Sequence, residues 1–161
     1  MESVESVEKI EKYSLKTRKK KAGSNVFTRI GIVGCGILGQ EIAKMVSSHG
    51  IEVVFLEVSE QKIQEAFTRI DKDLEGMIER WGMTTSEKRA IISRISGVTE
   101  YPLLSGCEIV IESIKSRTRE ESIEIRKNIF KKIENVVDEK TIIATNSTTL
   151  VITEMSSELM H

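Results

Sequence analysis

Residues 29–46 read RIGIVGCGILGQEIAKMV, an apolar run, three glycines in close succession and then a helix-like pattern. Glycine inside a regular element costs ~0.5–1 kcal/mol relative to alanine. Gly34, Gly36 and Gly39, placed where a strand passes into a helix, therefore need a physical reason. The spacing G-x-G-x-x-G supplies one. The first glycine permits a tight turn, the second lets a diphosphate touch the main chain, and the third lets the helix close on the sheet. The diphosphate rests on unpaired N–H groups at the positive end of the helix dipole. Glu57 ends the next strand, near the distance of ~20 residues expected of the acid that accepts from the adenosine ribose hydroxyls. An exposed strand-end acid is the plainer alternative for Glu57. The turn from Gly34 to Gly39, with Ile37 and Leu38 inside it, thus reads as a dinucleotide site.

The rest of the chain alternates strand and helix from Val26 onward. FTRIGIVG and IEVVFLEV are continuous apolar strands, as in a parallel sheet covered on both faces. ILGQEIAKMVSSHG between them predicts a helix with Ile42, Met45 and Val46 on one face and Gly50 at its C-terminus. Ser59 is placed to cap a long amphipathic helix with apolar residues at 63, 66, 67, 70, 74, 77 and 78. Thr84 and Glu87 have capping-box spacing and open a further helix. A short strand at Ser96–Thr99, a turn at Pro102, the strand CEIVIES, a charged helix to Val137 and the strand TIIATNS follow. Strands alternating with helices predict an α/β fold, a Rossmann-type, doubly wound, mostly parallel sheet with a helical excursion after the second strand.

Composition excludes several classes. With 24 Lys and Arg against 25 Asp and Glu, the net charge is −1, which gives no general attraction to nucleic acid or an anionic membrane. No apolar run approaches the ~18 residues of a membrane span, and the N-terminus has no secretory apolar region. Two cysteines, Cys35 and Cys107, and two histidines, His49 and His161, make no metal pattern. Reduced, buried thiols in a cytoplasmic protein are the expectation. Residues 1–25 stand apart: a weak helical stripe at Val4, Val7 and Ile10 precedes the basic run LKTRKKKAGSN, a charged and flexible leader to a domain at 26–161.

The segment IGIVGCGILGQEIAKMVSSHGIEVVFLEVSEQKIQEA resembles the NAD-binding domain of the 3-hydroxyacyl-CoA dehydrogenases, which read V-I-G-x-G-x-M-G and then V-D. The GMTTSEKRAIISRI helix fits that family's helical excursion, CEIVIES is similar to its D-L-V-I-E-A strand, and IIATNSTTLVITEMS to its A-S-N-T-S-S-L-x-I-T segment. The resemblance runs from about Thr28 to Met160. It implies NAD as cofactor, an acyl-CoA substrate and a place in fatty acid metabolism. Glu57 stands for the commoner aspartate and keeps the acceptor, and Leu38 stands for the usual methionine. The family's strand glutamate falls at Glu112, which joins the cofactor-binding set. The link IKSRTREE is longer than the family's V-P-E-x. Counting back from Phe130 puts its ribose-contacting acid and following cation at Glu121 and Arg126, whereas counting forward from Glu112 puts the acid at Ser116. A solvated helix face is the alternative for Glu121 and Arg126.

Thr148 stands where the family has a serine that meets the substrate oxygen, and Asn146 matches its strand-end asparagine. Both are catalytic candidates by that resemblance, with local helix capping as the alternative. The family's general base, a histidine in an H-F-F-N-P strand, and its helical domain, which shapes the acyl-CoA groove and builds a homodimer, have no counterpart here. His161 corresponds to the linker ahead of that strand. The expectation is the cofactor domain of a dehydrogenase that interconverts 3-hydroxyacyl-CoA and 3-ketoacyl-CoA, inactive alone. A freestanding NAD-binding sensor or interaction module, or a dehydrogenase of a carrier-protein-bound or free hydroxy acid, remain open. Arg80, on the long helix where the family often has a CoA-contacting cation, favours CoA by that resemblance, with a solvated charge as the alternative.

Overall fold

Five short strands line up in parallel in the order β3-β2-β1-β4-β5. The computed structural model describes residues 27–115, 119–148 and 150–160, the side chains of 81 and 119–121 excepted. The leader and His161 lie outside them. The strands are β1 (Arg29–Val33), β2 (Glu52–Leu56), β3 (Ile95–Val98), β4 (Ile109–Glu112) and β5 (Ile142–Thr145). Between them run α1 (Ile37–Ser48), α2 (Glu60–Trp81), α3 (Thr85–Ile92) and α4 (Arg119–Glu134), and a one-turn α5 (Ile152–Met155) follows β5. The chain leaves β1 for one neighbour, β2, and later returns to the other side at β4. That reversal opens a crevice at the carboxyl ends of β1 and β4, the general place for a ligand in such sheets.

Strand residues point alternately to the two faces, so each face has its own core. Ile32, Val53, Phe55 and Ile95 meet Ala43 of α1, Ile63, Ile70 and Leu74 of α2, and Ile91 of α3. Val33, Val54, Leu56 and Val110 meet Leu104 of the 3₁₀ turn Tyr101–Leu104 and Ile133 of α4. A smaller cluster of Phe130, Leu150 and Met155 fastens α5 to α4. The helix ends obey the local chemistry. Ser59 accepts from the Lys62 N–H at 3.3 Å, and Thr84 and Glu87 complete a reciprocal capping box. Gly82 ends α2 in the left-handed region at φ 72°.

Three details differ from the sequence expectation. Met45 is 59% exposed. The buried face of α1 is instead Gly39, Gln40, Ala43, Lys44 and Ser47, small or hydrogen-bonded residues that let the helix lie close to the sheet. Lys44 is tolerated there because Glu41 and Asp73 each pair with it at 2.7 Å. Helix α4 stops at Glu134, short of Val137, because the chain turns there: the Val136 and Val137 N–H groups both donate to the Ile133 carbonyl. The third strand begins one residue early, at Ile95.

Candidate functional site

The glycine turn is built as its spacing requires. Gly34 leaves β1 at φ 91°, a left-handed conformation that suits glycine, while its N–H donates to the Leu56 carbonyl at 3.0 Å. A Cβ at Gly39 would stand 2.4 Å from the Gly34 carbonyl oxygen, so the first turn of α1 can press on the loop only without a side chain. Gly36 is different. No atom lies within 4 Å of where its Cβ would be, because that space is the crevice. Gly36 is also the N-cap of α1, with no side-chain cap and no acid in the first turn. The opening N–H groups of a 12-residue helix are therefore left without a side-chain acceptor, which is how a helix end receives an anion.

The crevice has a volume of about 500 Å³. One wall is the turn itself, Gly34 and Gly36 with Ile37 and Leu38; the facing wall is Ser113, Ile114 and Lys115 beyond β4, with Asn146 beyond β5. Ile37 is 80% exposed and Leu38 41%, apolar side chains at the mouth of the cleft. Glu57 closes the β2 side. Its Oε1 accepts from the Cys35 N–H at 2.6 Å and its Oε2 from the Val58 N–H at 3.2 Å, which ties the end of β2 to the turn. Cys35 is buried beneath the loop. Burial, helped by the nearby Glu57 carboxylate, pushes its thiol up to about 12.

The far wall is held by a buried ion pair. Glu112, the last residue of β4, is fully buried, and its Oε2 accepts from Arg126 Nε at 2.9 Å and from the Thr145 hydroxyl at 2.6 Å. Its Oε1 accepts from the Ile114 N–H at 2.7 Å. Arg126 also donates to the Ile114 carbonyl at 3.0 Å and to the Ser122 hydroxyl. Glu112 and Arg126 thus fix the path of Ser113–Lys115 from behind, and neither lines the crevice. Glu112 has both oxygens taken by protein donors and no exposed surface, and Arg126 is buried rather than on a solvated helix face. Within the described residues the pair positions the wall of the crevice.

The other candidates separate. Asn146 reaches the crevice, its own N–H anchored on the Glu112 carbonyl at 2.9 Å. Thr148 is exposed in the bend that follows and is not part of the lining. Neither caps α5, whose N-cap is Val151. Glu121 falls in α4 with its side chain outside the described set, and Ser116 lies outside the described residues. His49 sits past the C-terminus of α1, at the opposite end of that helix from the crevice, with Nδ1 2.8 Å from the Met45 carbonyl. Ser113, Ile114 and Lys115 line the site and were not foreseen. The signal available was an apolar strand that ends in a charged residue, Glu112, where the chain must leave the sheet.

A 3-2-1-4-5 parallel sheet with a glycine turn at the switch point and an acid at the end of β2 defines a dinucleotide-binding Rossmann domain. The family model for the NAD-binding domain of 3-hydroxyacyl-CoA dehydrogenase matches residues 29–161. The chain belongs to that family and is an NAD-binding domain. Among its relatives, the 3-hydroxybutyryl-CoA dehydrogenase of Clostridioides difficile is 28% identical over 129 residues, covering 80% of this chain and 44% of the relative. The 3-hydroxyadipyl-CoA dehydrogenase of Escherichia coli K12 is 25% identical over 132 residues, 82% of this chain and 27% of the relative. The solved structure of (S)-3-hydroxybutyryl-CoA dehydrogenase from Ralstonia eutropha superposes with a TM-score of 0.75 at 29% identity, over 81% of this chain and 44% of that one. The chain therefore spans less than half the length of these relatives. No described helix is long and apolar enough to cross a membrane, and no cluster of metal-ligating side chains occurs among the described residues.

Proposed function

We propose that this chain is the cofactor-binding part of an enzyme that interconverts 3-hydroxyacyl-CoA and 3-ketoacyl-CoA. The observation that carries the reading is the open space at Gly36, in front of the uncapped N-terminus of α1 and inside a crevice of about 500 Å³. The pieces present fit NAD. The turn offers N–H groups to its diphosphate, and Glu57 offers carboxylate oxygens to the hydroxyls of its adenosine ribose. When bound, the nicotinamide supplies hydride acceptance or donation.

What the chain's own residues contribute is positioning. Asn146, at the carboxyl end of β5, presents an amide to the β4–β5 side of the crevice. Thr148, just beyond, offers a hydroxyl as donor and acceptor toward a substrate oxygen. A groove of about 280 Å³ between α1 and α2 is lined by Glu41 and Asp73, both paired with Lys44, and by Lys72 and Arg80, cations suited to the phosphates of CoA. Among the described residues that line the crevice, no histidine stands ready as a base. The base, the acyl groove and the homodimer contact are assigned to the part of such an enzyme that the relatives have beyond their match to this chain. The buried free thiols of Cys35 and Cys107 support a cytoplasmic setting.

An assay with 3-hydroxybutyryl-CoA and NAD tests this directly. The 161-residue chain should turn over negligibly, since a positioned base contributes ~10²–10⁴-fold. Adding the helical half of a related dehydrogenase, fused after His161, should restore activity, and Asn146→Ala should then lower kcat. A fused protein that folds and binds NADH yet leaves every hydroxyacyl-CoA untouched would favour a cofactor-sensing module.

A further inference from the structure

Among the described residues, two charged side chains line the crevice, and they are opposite in sign. Glu57 lies on the β2 side and Lys115 on the far wall beyond β4. Glu57 is already engaged by two backbone N–H groups. Lys115 is exposed and forms no ion pair with any described residue. Its place is nonetheless fixed. The preceding residue, Ile114, is pinned through its N–H to Glu112 and through its carbonyl to Arg126. The same residue packs on the glycine turn, with its Cα 3.1 Å from where a Gly34 Cβ would stand. A buried ion pair therefore holds the lysine backbone at the lip of the site.

The topology says which half of the ligand meets this cation. The acid at the end of β2 takes the adenosine side, the diphosphate takes the turn at β1, and the remaining half extends over β4 and β5. Among the described residues that line that half, Ser113, Lys115 and Asn146 are polar, and Lys115 is the charged one. A nicotinamide ring is cationic when oxidised and neutral when reduced, so the whole dinucleotide carries one more negative charge in its reduced form. An ammonium group beside the ring repels the oxidised form and attracts the more anionic reduced one. We infer that Lys115 is a specificity-determining residue that biases this site toward NADH over NAD⁺. This rests on the NAD-binding reading and on the cofactor lying across the crevice in the orientation that Glu57 sets.

The magnitude follows from an exposed site. A unit charge at several ångströms, in a medium near water, changes the NADH-to-NAD⁺ affinity ratio by roughly three- to tenfold. Calorimetric titration of the full chain with NADH, NAD⁺ and ADP-ribose, before and after Lys115→Ala and Lys115→Glu, measures it. ADP-ribose carries the diphosphate without the ring. The expected result is a fall in the NADH-to-NAD⁺ affinity ratio by about that factor in Lys115→Ala. The fall should be larger in Lys115→Glu and weaker when salt is raised, with Lys115→Arg keeping the native ratio. If Lys115→Ala weakens NADH, NAD⁺ and ADP-ribose equally, the lysine serves the diphosphate alone and the redox bias is overturned. If the three affinities do not move, the inference is overturned while the cofactor reading stands. If the unmodified chain binds none of the three, the cofactor reading falls and takes this inference with it.

Discussion

At the scale of single residues, the site is defined by groups that must be absent or silent. Gly36 works because nothing projects from it, and Cys35, one residue earlier, works because its thiol stays protonated. A thiolate there would face the Glu57 carboxylate with little water, and the thiol is accordingly pushed from 9.0 up to about 12. In an unfolded chain the same thiol ionises near its ordinary value, so between pH 9.0 and about 12 the unfolded state has released a proton that the folded state keeps. Stability contributed by Cys35 is therefore complete below pH 9.0 and declines as pH rises toward about 12. Iodoacetamide at neutral pH should leave Cys35 and Cys107 unmodified in the native chain and label both in urea. Mass spectrometry reads the outcome, and fast native labelling at Cys35 would show the loop to be open. The glycine turn and Glu57 were legible in the sequence because they are local: their spacing alone places them.

Elements make the second layer, and here sequence patterns succeed or fail according to what sets them. The caps at Ser59 and Thr84 depend on neighbours three residues away and are readable from the chain. The exposed Met45 and the buried Lys44 depend on how closely α1 approaches the sheet and on Asp73, which lies in another helix. No period within α1 reports that. The pairing of Glu112 with Arg126 is further out of reach, since it joins a strand end to a helix only after both have packed. Its energetics give a sharp expectation. Removing one partner of a buried pair leaves an uncompensated charge and costs ~3–5 kcal/mol. Arg126→Met should lower stability by about that amount in urea unfolding, and because the pair steers Ser113–Lys115 it should also weaken NADH binding. The double variant Glu112→Gln with Arg126→Met should recover much of the stability. A loss below ~1 kcal/mol for Arg126→Met would place the pair in water, against its burial.

On the scale of the whole molecule, a five-stranded sheet with a core on each face presents one crevice at its switch point. The relatives, of which the matched portion makes up 27–44%, share it at 25–29% identity, with the same fold in the Ralstonia eutropha enzyme. The cofactor crevice and the groove between α1 and α2 lie in different parts of the surface, lined by separate residues. The central claim, that the turn at Gly36 receives the diphosphate of NAD while Glu57 selects the unphosphorylated ribose, is tested most directly by one titration series. NADH and NADPH are titrated calorimetrically into the native chain and into Gly36→Val, with circular dichroism confirming that the variant is folded. Because a carboxylate facing an added 2′-phosphate is a like charge at short range, NADH should bind at least tenfold tighter than NADPH, or ~1.4 kcal/mol. Gly36→Val, whose side chain would fill the open space before α1, should bind neither. Undiminished NADH binding by a folded Gly36→Val protein, or equal affinity of the native chain for NADPH, would contradict the account.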